Sequence, residues 1–201
     1  PFPLPPIGKV NSGVFTTTDY AIDRAERISL PCPFSWPVST ANLKRCLLVS
    51  YLPIEGSDKQ LVLVNLHLEA YDDGEGKAGQ TQVLMELLTA EYEKGNYVIA
   101  GGDFNQVFPG TTDTYPMKNP DQWTPGVLEA EMLPAGWQFA FDDSVPTCRL
   151  LNQPYDPDSP DTQFYVMDGF IVAPDVTVES VTRLVEQFAR TDHKPVCLTV
   201  T

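Results

Sequence analysis

The sequence predicts an α+β domain in which β-sheets pack face to face and helices lie on the outside. Runs rich in β-branched and aromatic residues dominate the chain, and such runs favour strands. The clearest helix is predicted over residues 78–92, where leucines and a valine follow one stripe and Gly95 ends it. The composition, 42% apolar and 20% charged over 201 residues, is typical of one domain with a sizeable core.

The predicted strands are spread along the whole chain. They cover residues 13–18, 43–52, 60–68, 97–100, 164–172, 178–184 and 196–200. A short turn at residues 55–58 separates the second and third strands, so these two are expected to form a hairpin. Residues 28–40 and 106–126 are rich in proline and turn residues and predict loops, and residues 127–133 predict a short helix.

Charge and composition exclude some functions. The net charge is −14, from 27 acidic and 13 basic residues, and no basic cluster offers a strong nucleic-acid surface. No apolar run reaches the ~20 residues that span a bilayer. Residues 1–11 read as a Pro-rich lead-in that belongs to the middle of a longer protein. The low lysine content and Pro-rich loops favour the cell envelope or the extracellular space over the cytoplasm.

The four cysteines contain no Cys-x-x-Cys pair, so a thiolate metal site is not predicted. Cys46 and Cys197 lie in apolar runs and are expected to be small buried side chains. Cys32 and Cys148 could pair in an oxidising compartment, but their spacing does not decide this.

Polar side chains at the ends of predicted strands are the candidates for chemistry. Asn65 and His67 share one face of their strand, and this histidine suits either a cleft or a hydrogen-bonded core position. Asp103 and Asn105 follow a buried strand and two glycines. An acid and an amide at this spacing can hold a water and a phosphate oxygen, although they also suit an Asx-turn.

Two further carboxylates lie near strand ends later in the chain. Asp168 interrupts an apolar strand and needs a partner if it is buried, for which a histidine is the candidate; the alternative is an edge position in water. Asp192 and His193 put an acid and a titratable base in front of the last strand, where an Asp-capped turn is the alternative. The four segments together are more specific than any one of them.

The order of these motifs resembles the endonuclease/exonuclease/phosphatase family, which has the deoxyribonuclease I-like fold. The motifs that carry the resemblance are Asn65-x-His67, Gly101-Gly102-Asp103-Phe104-Asn105, Asp168-Gly169-Phe170-Ile171, Thr191-Asp192-His193-x-Pro195-Val196, and Lys77-Ala78-Gly79-Gln80 with Leu84. The resemblance implies a four-layer α/β/β/α sandwich of two mixed sheets. It covers residues 12–201, which would form the C-terminal two-thirds of the family's domain.

The resemblance also implies a Mg²⁺- or Mn²⁺-dependent hydrolase of phosphate esters. His193 would be the general base or would stabilise the phosphate, and Asp168 would orient it. Asp192 would be a metal ligand, and Asp103, also assigned to the metal site, would orient or deprotonate the attacking water. Asn105 would hold a phosphate oxygen, and His67 would bind the phosphate or assist the leaving group.

One departure from the family's pattern affects the expected activity. The family's early Asn strand and its metal-binding Glu strand are not found before Ser12, and neither Glu26 nor Glu55 lies in a strand context that would replace that Glu. The chain alone is therefore expected to bind Mg²⁺ weakly and to turn over slowly. The alternative function is a catalytically impaired member or fragment that acts as a binding or structural domain.

The substrate class is left open between small phosphate esters, lipid head groups and nucleic acid. The predicted loops contain aromatic residues that could recognise a substrate, and at least half are expected to pack onto the sheets instead. These residues are Phe108, Tyr115, Trp123, Trp137 and Tyr155.

Overall fold

A computed structural model describes residues 12–40, 42–71, 75–119, 121–184, 188 and 190–201. The predicted lead-in, residues 1–11, lies outside these residues. The chain divides into two compact units with the boundary between Val98 and Ile99.

The first unit contains an antiparallel sheet and a long helix. Its elements are β1 (Arg24–Ser29), β2 (Cys46–Pro53), β3 (Gln60–His67) and α1 (Glu75–Glu93). β2 pairs with both β1 and β3, and the register of the β2–β3 pair runs from Leu47 opposite Leu66 to Pro53 opposite Gln60. Gly56 turns the chain between them with a φ of 74°, which favours glycine. The predicted hairpin is confirmed.

Helix α1 begins three residues before the predicted start and ends one residue after the predicted end. Leu84 and Leu88 on its apolar stripe are fully buried. The helix ends because Gly95 takes a φ of 87° and its N–H donates to the carbonyl of Tyr92 at 2.8 Å.

Two predictions in the first unit are wrong. Residues 13–18 form no strand, and Phe15 is 80% exposed, because a β-rich composition needs a neighbouring strand to pair with. Conversely, β1 lies partly in the predicted loop 28–40. The charged residues of β1 did not indicate a strand in the sequence. The strand is stabilised by pairing with the apolar β2, with Arg24 opposite Tyr51.

The second unit is built mostly from short strands. The strand β4 (Tyr97–Asp103) crosses the boundary and brings five residues into this unit. The remaining elements are β5 (Gln106–Val107), α2 (Thr111–Thr114), β6 (Gly126–Val127), β7 (Gln138–Ala140), β8 (Cys148–Arg149), β9 (Phe164–Tyr165), β10 (Asp168–Val172), β11 (Val178–Arg183) and β12 (Val196–Val200).

Antiparallel pairing dominates the described part of the second unit. β10 pairs with β4 and with β7, β11 pairs with β12, and β8 pairs with β9. The pair β5–β6 is parallel. The predicted loop 106–126 thus contains short elements, and the helix predicted at 127–133 is reduced to a 3₁₀ turn at Ala130–Met132.

All four cysteines are free thiols. Cys148 is buried and Cys46 is half-buried, but Cys197 is exposed, so its predicted burial is wrong. It lies on β12, where the more exposed positions alternate with half-buried ones. In the described part of the chain, no helix combines the length and the apolar character that a bilayer crossing needs.

Candidate active site

Asp103 and Asp168 face each other across two paired strands. Asp103 ends β4, Asp168 begins β10, and the antiparallel register places the two residues directly opposite each other. The glycines before Asp103 make this approach possible, because a Cβ on Gly101 would lie 2.5 Å from the Phe170 ring. Gly102 has a φ of 144°, which also favours glycine.

His193 joins the two carboxylates. Its Nδ1 lies 2.8 Å and 3.0 Å from the two oxygens of Asp168, and its Nε2 lies 3.8 Å from Oδ2 of Asp103. A carboxylate at Nδ1 fixes the orientation and the tautomer of the imidazole. The structure therefore brings together three of the residues predicted from the sequence, although they are up to 90 positions apart (103 to 193).

The segment from Thr147 to Arg149 supports this cluster. The Thr147 hydroxyl accepts hydrogen bonds from the backbone N–H groups of Met167 and Asp168, both at 3.1 Å. Cys148 forms a backbone bridge with His193, and its Sγ lies 3.4 Å from His193 Nε2. Sequence reasoning missed Thr147 and the role of Cys148, since no periodic pattern or known motif marks the two-residue strand β8 or the residue before it.

Asn105 lies in a strained turn beside Asp103. Its φ is 49°, and its backbone N–H donates to Oδ1 of Asp103 at 2.8 Å. This is the Asx-turn that the sequence left open as an alternative. The buried Asn105 stays close to the cluster through this turn, and a left-handed non-glycine residue is frequent at functional sites.

Asp103 and Asp168 could hold a metal ion, since one oxygen of each and a ring nitrogen of His193 lie within 4.8 Å of one another. Carboxylate oxygens are the ligands that Mg²⁺ and Mn²⁺ prefer, so the donor set fits such a cation through its two acids. Asp192, predicted as a ligand, is half-buried, and its carboxylate is not part of this cluster among the described residues. Its backbone carbonyl accepts the N–H of Arg149 at 2.9 Å.

The electrostatics of the cluster favour a charged imidazole. Burial alone would lower the pKa of His193, but the hydrogen bonds with Asp168 and Cys148 and the negative charge of Asp168 outweigh burial and raise the pKa well above its usual value. Burial raises the pKa of the Cys148 thiol to about 11, so Cys148 is neutral at pH 7. A neutral thiol and a protonated imidazole therefore meet at Nε2.

His67 is placed in the first unit, at the exposed end of β3. It shares the less buried face of that strand with Asn65, as predicted, while Leu66 points into the core. His67 lines a pocket of about 130 Å³ together with Lys44 and Arg45. Nζ of Lys44 donates to the Ser39 carbonyl at 2.8 Å, and Nε of Arg45 lies 3.7 Å from Oε2 of the buried Glu69, so a carboxylate already lies beside these cations.

The two glutamates considered as substitutes for the family's metal ligand both belong to the first unit. Glu26 is on β1 and forms an ion pair with Arg24, and Glu55 follows β2 in the hairpin turn.

No family model and no curated protein sequence matches the chain. Solved structures match at low identity. An endonuclease/exonuclease/phosphatase from Beutenbergia cavernae aligns with a TM-score of 0.59 and 16% identity over 89% of this chain and 44% of that chain. The mannosyl-6-phosphatase Bt3783 of Bacteroides thetaiotaomicron aligns with a TM-score of 0.56 and 16% identity over 90% and 67%.

The D. rerio protein TDP2, complexed with a single-stranded DNA product, aligns with a TM-score of 0.56 and 18% identity over 90% of this chain and 68% of that chain. This chain thus spans 44% to 68% of the length of these three structures. Their agreement confirms the predicted fold class. The chain has the deoxyribonuclease I-like fold of the endonuclease/exonuclease/phosphatase proteins.

Proposed function

We propose that this chain is a divalent-metal-dependent hydrolase of phosphate esters, in which water attacks phosphorus in line with the departing alkoxide. The observation that carries the proposal is the cluster of Asp103, Asp168 and His193, in which one donor atom of each residue lies within 4.8 Å of the others. Such a cluster brings a proton acceptor and a cationic hydrogen-bond donor close to each other.

His193 is proposed to stabilise the phosphate. Because Asp168 keeps the imidazole protonated, His193 can place a positive charge and an N–H donor toward the oxygens on which charge develops. This favours the phosphate-stabilising role over the general-base role, the two roles that the resemblance left open. Asp103 is left as the group that orients or deprotonates the attacking water.

The other predicted residues complete the proposal. Asn105 would donate its side-chain amide to a nonbridging phosphate oxygen, from a turn that is fixed by Asp103. His67 keeps the role expected from the resemblance, which is phosphate binding or assistance to the leaving group. Mg²⁺ or Mn²⁺, held by Asp103 with Asp192 as the further proposed ligand, would neutralise charge that develops on the phosphate.

The substrate is proposed to be a phosphate ester of small size or low charge. Two of the similar structures are named for a sugar phosphatase activity and for a DNA product, so the fold accommodates both kinds of substrate. The net charge of −14 disfavours a polyanion that must bind along a long surface.

A panel of substrates tests the function directly. Hydrolysis of phosphodiesters, phosphomonoesters and single-stranded DNA should be measured with Mg²⁺, with Mn²⁺ and with EDTA. We expect slow turnover of at least one ester class that EDTA abolishes. Binding of these esters without any turnover would instead support the alternative function, a binding domain with this fold.

The variant His193→Ala tests the site. Loss of the imidazole should lower kcat by a factor of about 10² to 10⁴, which is the range for one positioned acid–base group. Circular dichroism and thermal unfolding should show that the variant is folded. Turnover close to that of the unmodified chain would remove His193 from the chemistry.

A further inference from the structure

A second pocket opens on the second unit and has a volume of about 80 Å³. Its inner wall is formed by side chains that are almost fully buried, among them Val107, Tyr165 and Val166. Its rim includes Tyr115 and Val127, and Val127 is 43% exposed. The side chains that line the pocket carry no charge.

Three hydroxyl groups of the pocket wall are already paired. The Thr111 hydroxyl donates to the carbonyl of Phe108 at 2.7 Å, and the Tyr115 hydroxyl donates to the carbonyl of Asp143 at 3.0 Å. The Tyr165 hydroxyl donates to the carbonyl of Trp123 at 3.1 Å. The surface left for a ligand is therefore mainly hydrocarbon and aromatic carbon, which water solvates poorly.

The inner wall of the pocket packs against residues of the candidate active site. Val107 and Tyr165 belong to one buried cluster with Cys148 and Met167. Sγ of Cys148 lies 3.4 Å from Nε2 of His193, so one side chain separates the pocket wall from the imidazole.

The chain connections confirm this proximity. Val107 follows Asn105 by two residues, and Val166 precedes Asp168 by two residues. Two residues of extended chain span about 7 Å. The backbone N–H of Phe108 donates to the carbonyl of Val166 at 3.2 Å, which holds the two segments together.

We propose that this pocket binds the apolar part of a phosphate diester, namely a short alkyl or aryl group on the oxygen that is not displaced. The proposal rests on the proposed function and adds a substrate class to it. Because one water needs ~10–15 Å³, the pocket holds several waters, about the space of a butyl chain or a phenyl ring. Filling it would also cover part of the exposed side chain of Val127.

Two diesters with the same leaving group test this proposal. The value of kcat/KM should be compared for butyl 4-nitrophenyl phosphate and methyl 4-nitrophenyl phosphate in the presence of Mg²⁺. The butyl group has three more methylene groups than the methyl group, and burial of two of them alone corresponds to about a tenfold ratio, so we expect a value at least about tenfold higher for the butyl ester. A ratio close to one would overturn the proposal.

Substitutions at the rim distinguish an effect on binding in the pocket from an effect on the catalytic step. Val127→Asp puts a charge into the apolar wall and should bring the butyl-to-methyl ratio close to one while the methyl ester is hydrolysed as before. Val127→Trp should have the same effect by blocking the mouth, without a new charge. Leu184→Asp is the matched control, because Leu184 is also exposed, lies in the same unit and does not line the pocket. A ratio that survives both Val127 variants would contradict the proposal.

If neither diester is hydrolysed, the result counts against the proposed function but does not test the pocket. A binding measurement then tests whether the pocket takes an apolar group. A titration with n-butanol should then shift the methyl NMR signals of Val107 and Val127. The shift of the Val107 methyl signals should be absent in Val127→Trp, and the shifts of both valines should be present in Leu184→Asp. Signals that do not move in the unmodified chain would overturn the pocket assignment.

Discussion

Thr147 determines where the carboxylate of Asp168 lies. Its hydroxyl oxygen accepts two backbone N–H groups, those of Met167 and Asp168, at the point where β10 begins. Thr147 is 1% exposed, so water cannot replace this acceptor. This side chain therefore helps to hold the backbone before Asp168, together with the hydrogen bond from the Phe104 N–H to the Met167 carbonyl at 3.0 Å, and Asp168 in turn holds His193.

The substitution Thr147→Val should destabilise the chain by about 2 kcal/mol or more, because it leaves two buried N–H donors unpaired at nearly constant shape. It should also lower kcat more than it changes KM, since Asp168 would no longer be fixed relative to His193. Thermal unfolding and steady-state kinetics measure the two effects.

Thr147→Ser is the control, because it keeps the hydroxyl acceptor and removes only a methyl group. It should recover most of the stability and of kcat. An equal loss in the Ser and Val variants would show that the methyl group, and not the oxygen, is what the site needs.

The residues of the candidate site differ in how far the sequence could predict them. Asp168 and His193 could be predicted as partners, because a carboxylate in an apolar strand requires a counter-group. Cys148 and Thr147 could not, because Cys148 meets His193 only when β8 lies beside the segment before β12, and the Thr147 hydroxyl meets its donors only at the start of β10. Proximity in the sequence can also mislead. Asp192 is next to His193 in the sequence, but its carboxylate is not part of the cluster that His193 forms with Asp103 and Asp168.

At the scale of elements, a buried polar network joins the end of α1 to the sheet of the first unit. Glu91 is 3% exposed. Its carboxylate accepts hydrogen bonds from the Tyr51 hydroxyl at 3.1 Å, from Nζ of Lys94 at 2.7 Å and from Nδ2 of Asn96 at 3.1 Å. Asn96 also accepts the backbone N–H of Gln60 at 3.0 Å, which ties the network to β3.

This network makes stability depend on pH at both ends of the scale. Burial alone would raise the pKa of Glu91, but the hydrogen bonds from Lys94 and Tyr51 lower it below 4.5. Its contribution is therefore complete above pH 4.5 and is lost as the pH falls through the lower value in the folded chain. Burial and Glu91 raise the pKa of Tyr51 to about 12, so its contribution is lost as the pH rises from 10 toward 12.

The substitution Glu91→Gln should lower the free energy of unfolding at pH 7 by about 1–3 kcal/mol, because an amide cannot accept all three donors. It should also flatten the acid limb of the stability curve. The measurement is thermal or urea unfolding between pH 3 and pH 7. Glu93→Gln, an exposed change in the same helix turn, should leave both quantities nearly unchanged; an acid limb that persists in Glu91→Gln would contradict the assignment.

Local sequence patterns were sufficient to predict some of the secondary-structure elements but not others. The hairpin β2–β3 and helix α1 could be predicted because each has its own periodicity and its own stop signal. The strand β1 could not, because the sequence Arg-Ala-Glu-Arg-Ile-Ser gains its strand character from pairing with β2. The predicted strand at 13–18 failed for the complementary reason, since it has the composition of a strand without a partner.

At the scale of the whole molecule, the order of motifs predicted the fold better than any composition did. The similar structures share only 16% to 18% identity with this chain, so their agreement concerns the course of the backbone. Substrate choice depends on loops, where sequence gave little information. Of the five loop aromatics, Phe108 and Trp137 are buried in the core, whereas Tyr115 lines the apolar pocket.

The net charge of the chain predicts how its affinity for a polyanion depends on salt. With 27 acidic and 13 basic residues, the surface repels DNA most strongly at low ionic strength. Raising the salt from about 0.01 M to about 0.15 M shortens the Debye length from ~30 Å to ~8 Å, so the repulsion is screened. We therefore expect the Kd for a fluorescent single-stranded oligonucleotide, measured by anisotropy at fixed Mg²⁺, to stay constant or to fall as salt is added. A Kd that rises steeply with salt, as for proteins that neutralise several phosphates, would show that a local cationic surface such as the one around Lys44, Arg45 and His67 outweighs the net charge.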